Sequence, residues 1–248
     1  MTSFWKSCTA FAEHLGRLRA FGIPCEDICL RRRARNVVSL AAVVACLAMP
    51  AASRSLMSSP LVHEFPALPS IRDKTLVVWA KPTDLAQRGG SVLTLESRDR
   101  FDAIVFGELK PGAWMIGSEM FRRTQRDQQG YPVEQAVPKQ PLRLAAVYRG
   151  RHVTLYRDDS VIADYEMPDA PAEFGSGAQV LIGLRHRARM GQRDSYFAGE
   201  VYEARIYDRA LSAAEVAVLK LGGKSEPNPL ARWTFDDGRC RDSEGTFP

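Results

Sequence analysis

The sequence predicts an all-β protein: an antiparallel β-sandwich with one short helix near the C-terminus. Two observations support this fold class. Short apolar or alternating segments, typical of strands, follow one another between residues 71 and 207 and are separated by residues that favour turns. No segment with a helical period of apolar residues lies between them, which argues against a helical or α/β fold.

Nine segments are predicted as strands. The first, residues 75–80, is a continuous apolar run that ends at Lys81 and Pro82, which is typical of a strand buried on both faces. The others are residues 91–95, 101–106, 113–117, 142–148, 152–156, 161–165, 179–183 and 197–206. In the last segment the alternation slips near Glu203, which predicts a β-bulge.

A short helix is predicted directly after a turn at residues 208–210. Ser212 is a good N-cap residue, and Glu215 three positions later completes a capping box. Val216, Leu219 and Leu221 then offer an apolar stripe for packing.

Residues 1–53 have the parts of a secretory signal peptide. Residues 31–35 are strongly basic, residues 36–49 are mainly apolar, and small residues follow, which predicts export and cleavage near Ala52 or Ser53. An alternative is lipidation of Cys46, because residues 43–46 loosely resemble a bacterial lipobox. The apolar run is short for a membrane span, so no transmembrane span is expected in the mature form.

The positive charge belongs mainly to this leader. Residues 1–53 contain seven basic and three acidic residues and therefore carry +4 of the net charge of +5. The rest of the chain is nearly neutral, so nucleic acid is not expected as a partner.

The remaining chain is predicted as a linker at residues 54–70, the sandwich at residues 71–222, and a second linker that leads into a further, truncated unit at residues 223–248. The strand around Trp233 would begin that unit or, alternatively, add to the sandwich. Residues 119–141 are polar and proline-rich and are expected to form a long loop of the kind that is often functional or mobile.

Residues 197–219 resemble the C-terminal signature of laminin-G-like domains, which have a concanavalin A-like jelly-roll fold. Residues 144–160 resemble a hairpin of the same domains, except that Ser160 stands where glycine is usual. Residues 114–124, 181–187 and 230–238 resemble the laminin-G-like region that precedes the catalytic domain of some bacterial family 32 glycoside hydrolases. The resemblance covers roughly residues 71–248 and implies a jelly roll and an accessory role.

The sequence lacks the carboxylate motifs of glycosidases, which predicts that this chain is not an enzyme. The nucleophile, Arg-Asp-Pro and Glu-Cys motifs of family 32 are absent. Glu200 and Glu203 are three residues apart, as are Glu96 and Asp99, so on a strand each pair would point to opposite faces. No cofactor is predicted. A calcium site stays open, because Asp102, Asp158 and Asp159 lie near predicted turns.

A candidate ligand site comes from residues that follow two strand ends. Arg122, Arg123, Arg185 and His186 come shortly after Gly117 and Gly183, and we expect them to meet on one surface. Arginine side chains can hold sugar hydroxyls or carboxylates, and Trp114 could stack on a sugar face. The alternative is that the aromatic residues belong to the core and that the arginines pair with Glu108 and Glu119.

Three functions are therefore compared. The first is a secreted, non-catalytic module that binds carbohydrate or supports an adjacent glycoside hydrolase domain. The second is a protein-interaction or structural sandwich, and the third is a lectin-fold glycoside hydrolase.

Overall fold

The structure is a computed structural model that describes residues 61–64, 70–98, 100–189, 195–224, 227–235 and 243–244. The predicted signal peptide, its cleavage site and Cys46 lie outside the described residues.

The described residues form β-strands and one α-helix, as the sequence predicted. The strands are β1 (Leu61–Glu64), β2 (Lys74–Pro82), β3 (Gly90–Ser97), β4 (Arg100–Phe106), β5 (Trp114–Ser118), β6 (Leu142–Arg149), β7 (His152–Arg157), β8 (Ser160–Glu166), β9 (Gln179–Ile182), β10 (Gly199–Tyr207) and β11 (Ala231–Thr234). The helix α1 is Ala213–Val218. Glu119–Phe121 and Arg187–Arg189 form single 3₁₀ turns.

Two antiparallel sheets form the sandwich, which confirms the predicted all-β fold. One sheet has five strands in the order β1-β9-β3-β4-β5, and the other has six in the order β11-β10-β2-β6-β7-β8. Apolar side chains of both sheets fill one large core between them. Within the described residues, no helix has the length and apolar character needed to cross a bilayer.

Strand β2 is buried on both faces, which explains its continuous apolar sequence. Leu76 and Val78 pack in the core between the sheets. Val77 and Trp79 point to the other face and pack in a second cluster with Val216 of α1. The helix therefore covers the outer face of the six-stranded sheet.

The predicted bulge and helix cap are both present. The pairing of β10 with β2 shifts register between Val201 and Glu203. The Ser212 hydroxyl accepts a hydrogen bond from the Glu215 backbone N–H at 3.2 Å, and the Ser212 N–H donates to the Glu215 carboxylate at 2.7 Å. This is the reciprocal capping box that the sequence indicated.

Two strands lie where the sequence suggested linkers or a new unit. Within the expected linker 54–70, β1 pairs with β9 as an edge strand. Strand β11, expected to begin a further unit, instead pairs with β10, and Trp233 is fully buried in the core. The alternative, that this strand adds to the sandwich, agrees with the structure. Each of these strands has only four residues, too few for a periodic pattern to stand out.

Candidate functional site

A pocket of about 410 Å³ lies where the β3–β4 turn meets the segments that follow β5 and β9. We call it the Phe101 pocket. The side chains that matter for its chemistry are Phe101, Glu96, Arg98, Met120, Arg185 and His186.

The Phe101 pocket is on the outer face of the five-stranded sheet. Asp102 points into the sandwich, because its carboxylate lies 2.9 Å from the ammonium group of Lys74 on the opposite sheet. Phe101 is its neighbour on β4, so its side chain points to the opposite face. Gly117 on β5 makes room there: an added Cβ would lie 2.6 Å from Val105 and 3.4 Å from the Phe101 ring.

The segment after β9 covers the Phe101 ring with two polar side chains. The guanidinium of Arg185 lies 5.7 Å from the ring centroid, and the His186 ring meets it edge to face at 4.5 Å between centroids. Arg185 forms an ion pair with Glu108. His186 Nδ1 is 2.9 Å from the Glu96 carboxylate, which fixes the ring at the strand end.

Arg123 does not belong to the exposed surface on which the sequence placed it. Its side chain is only 3% exposed and lies beneath the pocket. Its guanidinium donates to Asp102 at 2.9 Å, to the Phe101 carbonyl at 2.9 Å and to the Glu119 carboxylate. Arg123 thus positions the pocket wall, and burial keeps it from contacting a ligand.

The two other predicted residues also lie away from the pocket. Arg122 is exposed but is not among the residues that line it, and its nearest charged partner is Asp169 at 3.8 Å. Trp114 is 1% exposed and packs in the core, where its indole N–H donates to Glu134 at 3.1 Å. It cannot stack on a sugar. Of the five predicted residues, Arg185 and His186 are the two that line the pocket.

Strained backbone is concentrated at this pocket. Four non-glycine residues of the described chain have a positive φ, and three of them line the pocket: Arg98 (φ 50°), Met120 (φ 49°) and Phe121 (φ 59°). Left-handed backbone costs an ordinary residue roughly 1–2 kcal/mol, and such strain clusters at functional sites. Arg126 supports the turn by donating to the Met120 carbonyl at 3.1 Å.

Met120 was not predicted as a site residue. Its side chain is 80% exposed, more than any other large apolar side chain described. A methionine within a polar loop gives no sequence signal for this, because its exposure depends on the left-handed turn after β5. The pocket thus combines an exposed apolar side chain with fixed hydrogen-bonding groups.

Every carboxylate described as lining the pocket is bonded to a basic side chain. Glu96 pairs with His186, Glu108 with Arg185, and Glu119 with Arg123. Burial opposes ionisation of Glu119, but the hydrogen bonds from Arg123 and from the Phe101 N–H outweigh it and hold the pKa of Glu119 below its usual value. A general acid requires the opposite shift, so Glu119 acts here as a fixed acceptor.

The carboxylates considered for calcium do not converge. Asp102 is held between Lys74 and Arg123, whereas Asp158 and Asp159 pair with arginines at the β7–β8 turn. Among the residues that the structure describes, no group of three or more His, Cys, Asp or Glu side chains is arranged to hold a metal ion.

The sequence comparison identifies the family. Residues 61–217 match a family described as the concanavalin A-like lectin/glucanases superfamily. The chain belongs to this superfamily. The concanavalin A-like superfamily match begins at β1 and ends within α1, so it includes the strand that the sequence suggested was a linker. No curated protein matches the chain in sequence.

Solved structures show the same fold at low sequence identity. A Bacteroides ovatus protein with a proposed role in carbohydrate binding is 11% identical, with a TM-score of 0.59 over 77% of this chain and 55% of that one. The extracellular region of zebrafish Gpr126/Adgrg6 is 13% identical, with a TM-score of 0.50 over 76% of this chain and 24% of that one. These similarities support the concanavalin A-like fold.

Proposed function

We propose that this concanavalin A-like domain binds carbohydrate at the Phe101 pocket and performs no catalysis of its own. The observation that carries the proposal is the convergence of three left-handed residues on a pocket whose polar side chains are held by ion pairs. Fixed donors and acceptors lose little conformational entropy when they bind sugar hydroxyls. The similarity to a protein with a proposed carbohydrate-binding role supports the same conclusion.

The pairing of the carboxylates supports a binding role over hydrolysis. Most glycosidases need one carboxyl group with a raised pKa and a second that is ionised. At this pocket Glu108 and Glu119 form ion pairs with arginines, Glu96 is hydrogen-bonded to His186, and the pKa of Glu119 is lowered. We therefore expect the purified chain not to cleave sucrose, levan or laminarin; cleavage that disappears in the Glu96→Gln variant would overturn this part of the proposal.

A glycan array with the mature protein is the direct test of binding. We expect a defined set of glycans to bind, and His186→Ala or Met120→Ala to weaken their binding. Val161→Ala is a matched control, because Val161 is an exposed apolar residue of β8 that does not line the pocket. An array without binding would refute the proposal and favour the protein-interaction alternative, in which exposed Met120 contacts another protein.

The proposal includes export and an accessory role beside a glycoside hydrolase domain. The signal-like leader supports export, and the resemblance to the region preceding family 32 catalytic domains supports the partner. Mass spectrometry of the secreted protein is expected to show an N-terminus near Ala52. An intact Cys8 would contradict cleavage, and a lipid on Cys46 would establish the lipobox alternative.

A further inference from the structure

A second pocket of about 520 Å³ adjoins the Phe101 pocket. The two share Glu96, Arg98 and Ala188, and the second adds Gln179 and Arg187. Arg98 therefore lies at the boundary between two recesses that together could hold more than one sugar residue. The left-handed backbone of Arg98 at the β3–β4 turn fixes the position of its Cα–Cβ bond.

Among the described side chains that line these pockets, the charged groups without a bonded partner are positive. The carboxylates of Glu108 and Glu119 form ion pairs with Arg185 and Arg123, and the Glu96 carboxylate is held by His186 and by the Arg187 backbone N–H. The side chains of Arg98 and Arg100, in contrast, are exposed and form no hydrogen bond or ion pair with another described residue. Asp99, between them in sequence, lies outside the described residues.

Arg187 adds a third cation, which forms only a weak ion pair. It lies 3.3 Å from Glu64 of β1, and both side chains are more than half exposed. Such exposed pairs contribute little and exchange readily for another anion. A ligand in the paired pockets thus meets two unpaired guanidinium groups and one weakly paired group.

We propose that the paired pockets select an oligosaccharide that carries anionic groups, with one anionic group bound by Arg98. The guanidinium fork matches the two oxygens of a carboxylate and also fits a sulfate, so the shared chemistry is a planar or tetrahedral oxyanion on a sugar. This inference rests on the proposed carbohydrate-binding function and specifies its ligand class.

Isothermal titration of the full mature chain with matched ligands tests the inference. Trigalacturonic acid is compared with its methyl ester, whose esterified carboxyl groups carry no charge, and a sulfated galactose disaccharide with its unsulfated counterpart. We expect at least one anionic ligand to bind about tenfold more tightly than its neutral counterpart, which corresponds to one charge-assisted hydrogen bond. Which pair shows the difference distinguishes carboxylate from sulfate.

Variants locate the effect. Arg98→Gln should weaken the anionic ligand about tenfold and leave the neutral ligand unchanged, and the double variant with Arg100→Gln should weaken it further. Lys139→Gln is the matched control, because Lys139 is an exposed cation that does not line either pocket. An equal loss in Lys139→Gln would indicate non-specific attraction of a polyanion and overturn the inference.

The remaining outcomes separate this inference from the proposed function. If neutral glycans bind on the array as tightly as anionic ones, and His186→Ala abolishes binding while Arg98→Gln does not, the anionic preference is wrong and the carbohydrate site stands. If no glycan binds, the proposed function fails and this inference fails with it. If added salt weakens binding of the anionic ligand to the wild type but not to Arg98→Gln, the anionic preference gains further support.

Discussion

Lys74 and Asp102 form an ion pair between the two sheets of the sandwich, with 2.9 Å between the ammonium and the carboxylate and both side chains fully buried. Asp102 also accepts from Arg123 at 2.9 Å. Lys74 lies over the ring of Tyr148, 4.3 Å from its centroid, and donates to the carbonyl of Arg72 at 3.1 Å. One carboxylate thus compensates two buried cations, and the same network reaches the floor of the Phe101 pocket.

We expect Asp102→Asn to lower the free energy of unfolding by about 3–5 kcal/mol, because it leaves buried Lys74 without a counterion and leaves buried Arg123 with Glu119 alone. Urea denaturation measures this. Glu173→Gln is the control, since it removes an exposed ion pair with Arg72 and should cost less than about 1 kcal/mol. Similar small losses in both variants would contradict the role assigned to Asp102.

Arg123→Ala and Arg122→Ala compare neighbouring arginines in opposite environments. Arg123 is buried and holds Asp102 and Glu119, so its loss should cost about 3 kcal/mol or more. Arg122 is exposed and its loss should cost less than about 1 kcal/mol. Thermal and urea unfolding measure both values. A fully stable Arg123→Ala protein with weakened glycan binding would restore the contact role that the sequence suggested.

Met120→Gly and Met120→Ala remove the same exposed side chain but differ in backbone freedom. Met120 has a φ of 49°, which glycine adopts without the steric cost that alanine retains. We expect the glycine variant to be more stable than the alanine variant by about 1 kcal/mol, whereas both lose glycan affinity. Equal stabilities in urea would show that the left-handed turn is not strained.

The helix cap predicts that the stability of the protein falls at low pH. Hydrogen bonds from Arg209 and from the backbone and hydroxyl of Ser212 lower the pKa of Glu215 from 4.5 to about 2. Because the folded-state pKa is the lower one, the stabilisation is complete above about pH 4.5 and is lost as the pH falls towards 2. Urea titrations across this pH range give the free energy of unfolding of the wild type and of Glu215→Gln. The difference between the two values reports the contribution of Glu215 and excludes that of Glu119. A difference that is constant from pH 2 to pH 6 would contradict it.

The same cap gives a prediction at neutral pH. Ser212→Ala removes the acceptor for the Glu215 N–H and should cost about 1 kcal/mol. Ser212→Asp, which retains an acceptor, should recover most of this loss. Failure of aspartate to restore stability would indicate that the hydroxyl acts in another way.

The strands were predictable where burial leaves a local pattern. Strands β2 to β10 correspond to the nine predicted segments, because each carries an apolar run or alternation that turn residues interrupt. The turn before β8 shows how local chemistry also explains a departure: Ser160 adopts an ordinary φ there, and Asp158, which tolerates a left-handed conformation, takes φ 51° instead.

The candidate site was predictable only in part, because exposure depends on register. Arg123 became buried since β4 pairs with β5 so that Asp102 lies opposite Ser118, which brings the carboxylate next to the loop after β5. Asp102 and Arg123 are 21 positions apart, and no local pattern links them. Arg185 and His186 were suggested because they directly follow a strand end, where loops expose their side chains, and both line the pocket.

Strand β11 protects one edge of β10, and this has a consequence for the integrity of the protein. Arg232 of β11 donates to the buried carboxylate of Glu203 on β10 at 2.7 Å. Proteolysis between Gly223 and Leu230 would release this strand and expose the backbone N–H and C=O groups along one edge of β10. A second chain could then pair with this edge. A fragment restricted to residues 61–217 is therefore expected to self-associate, although it contains the whole region matched to the superfamily.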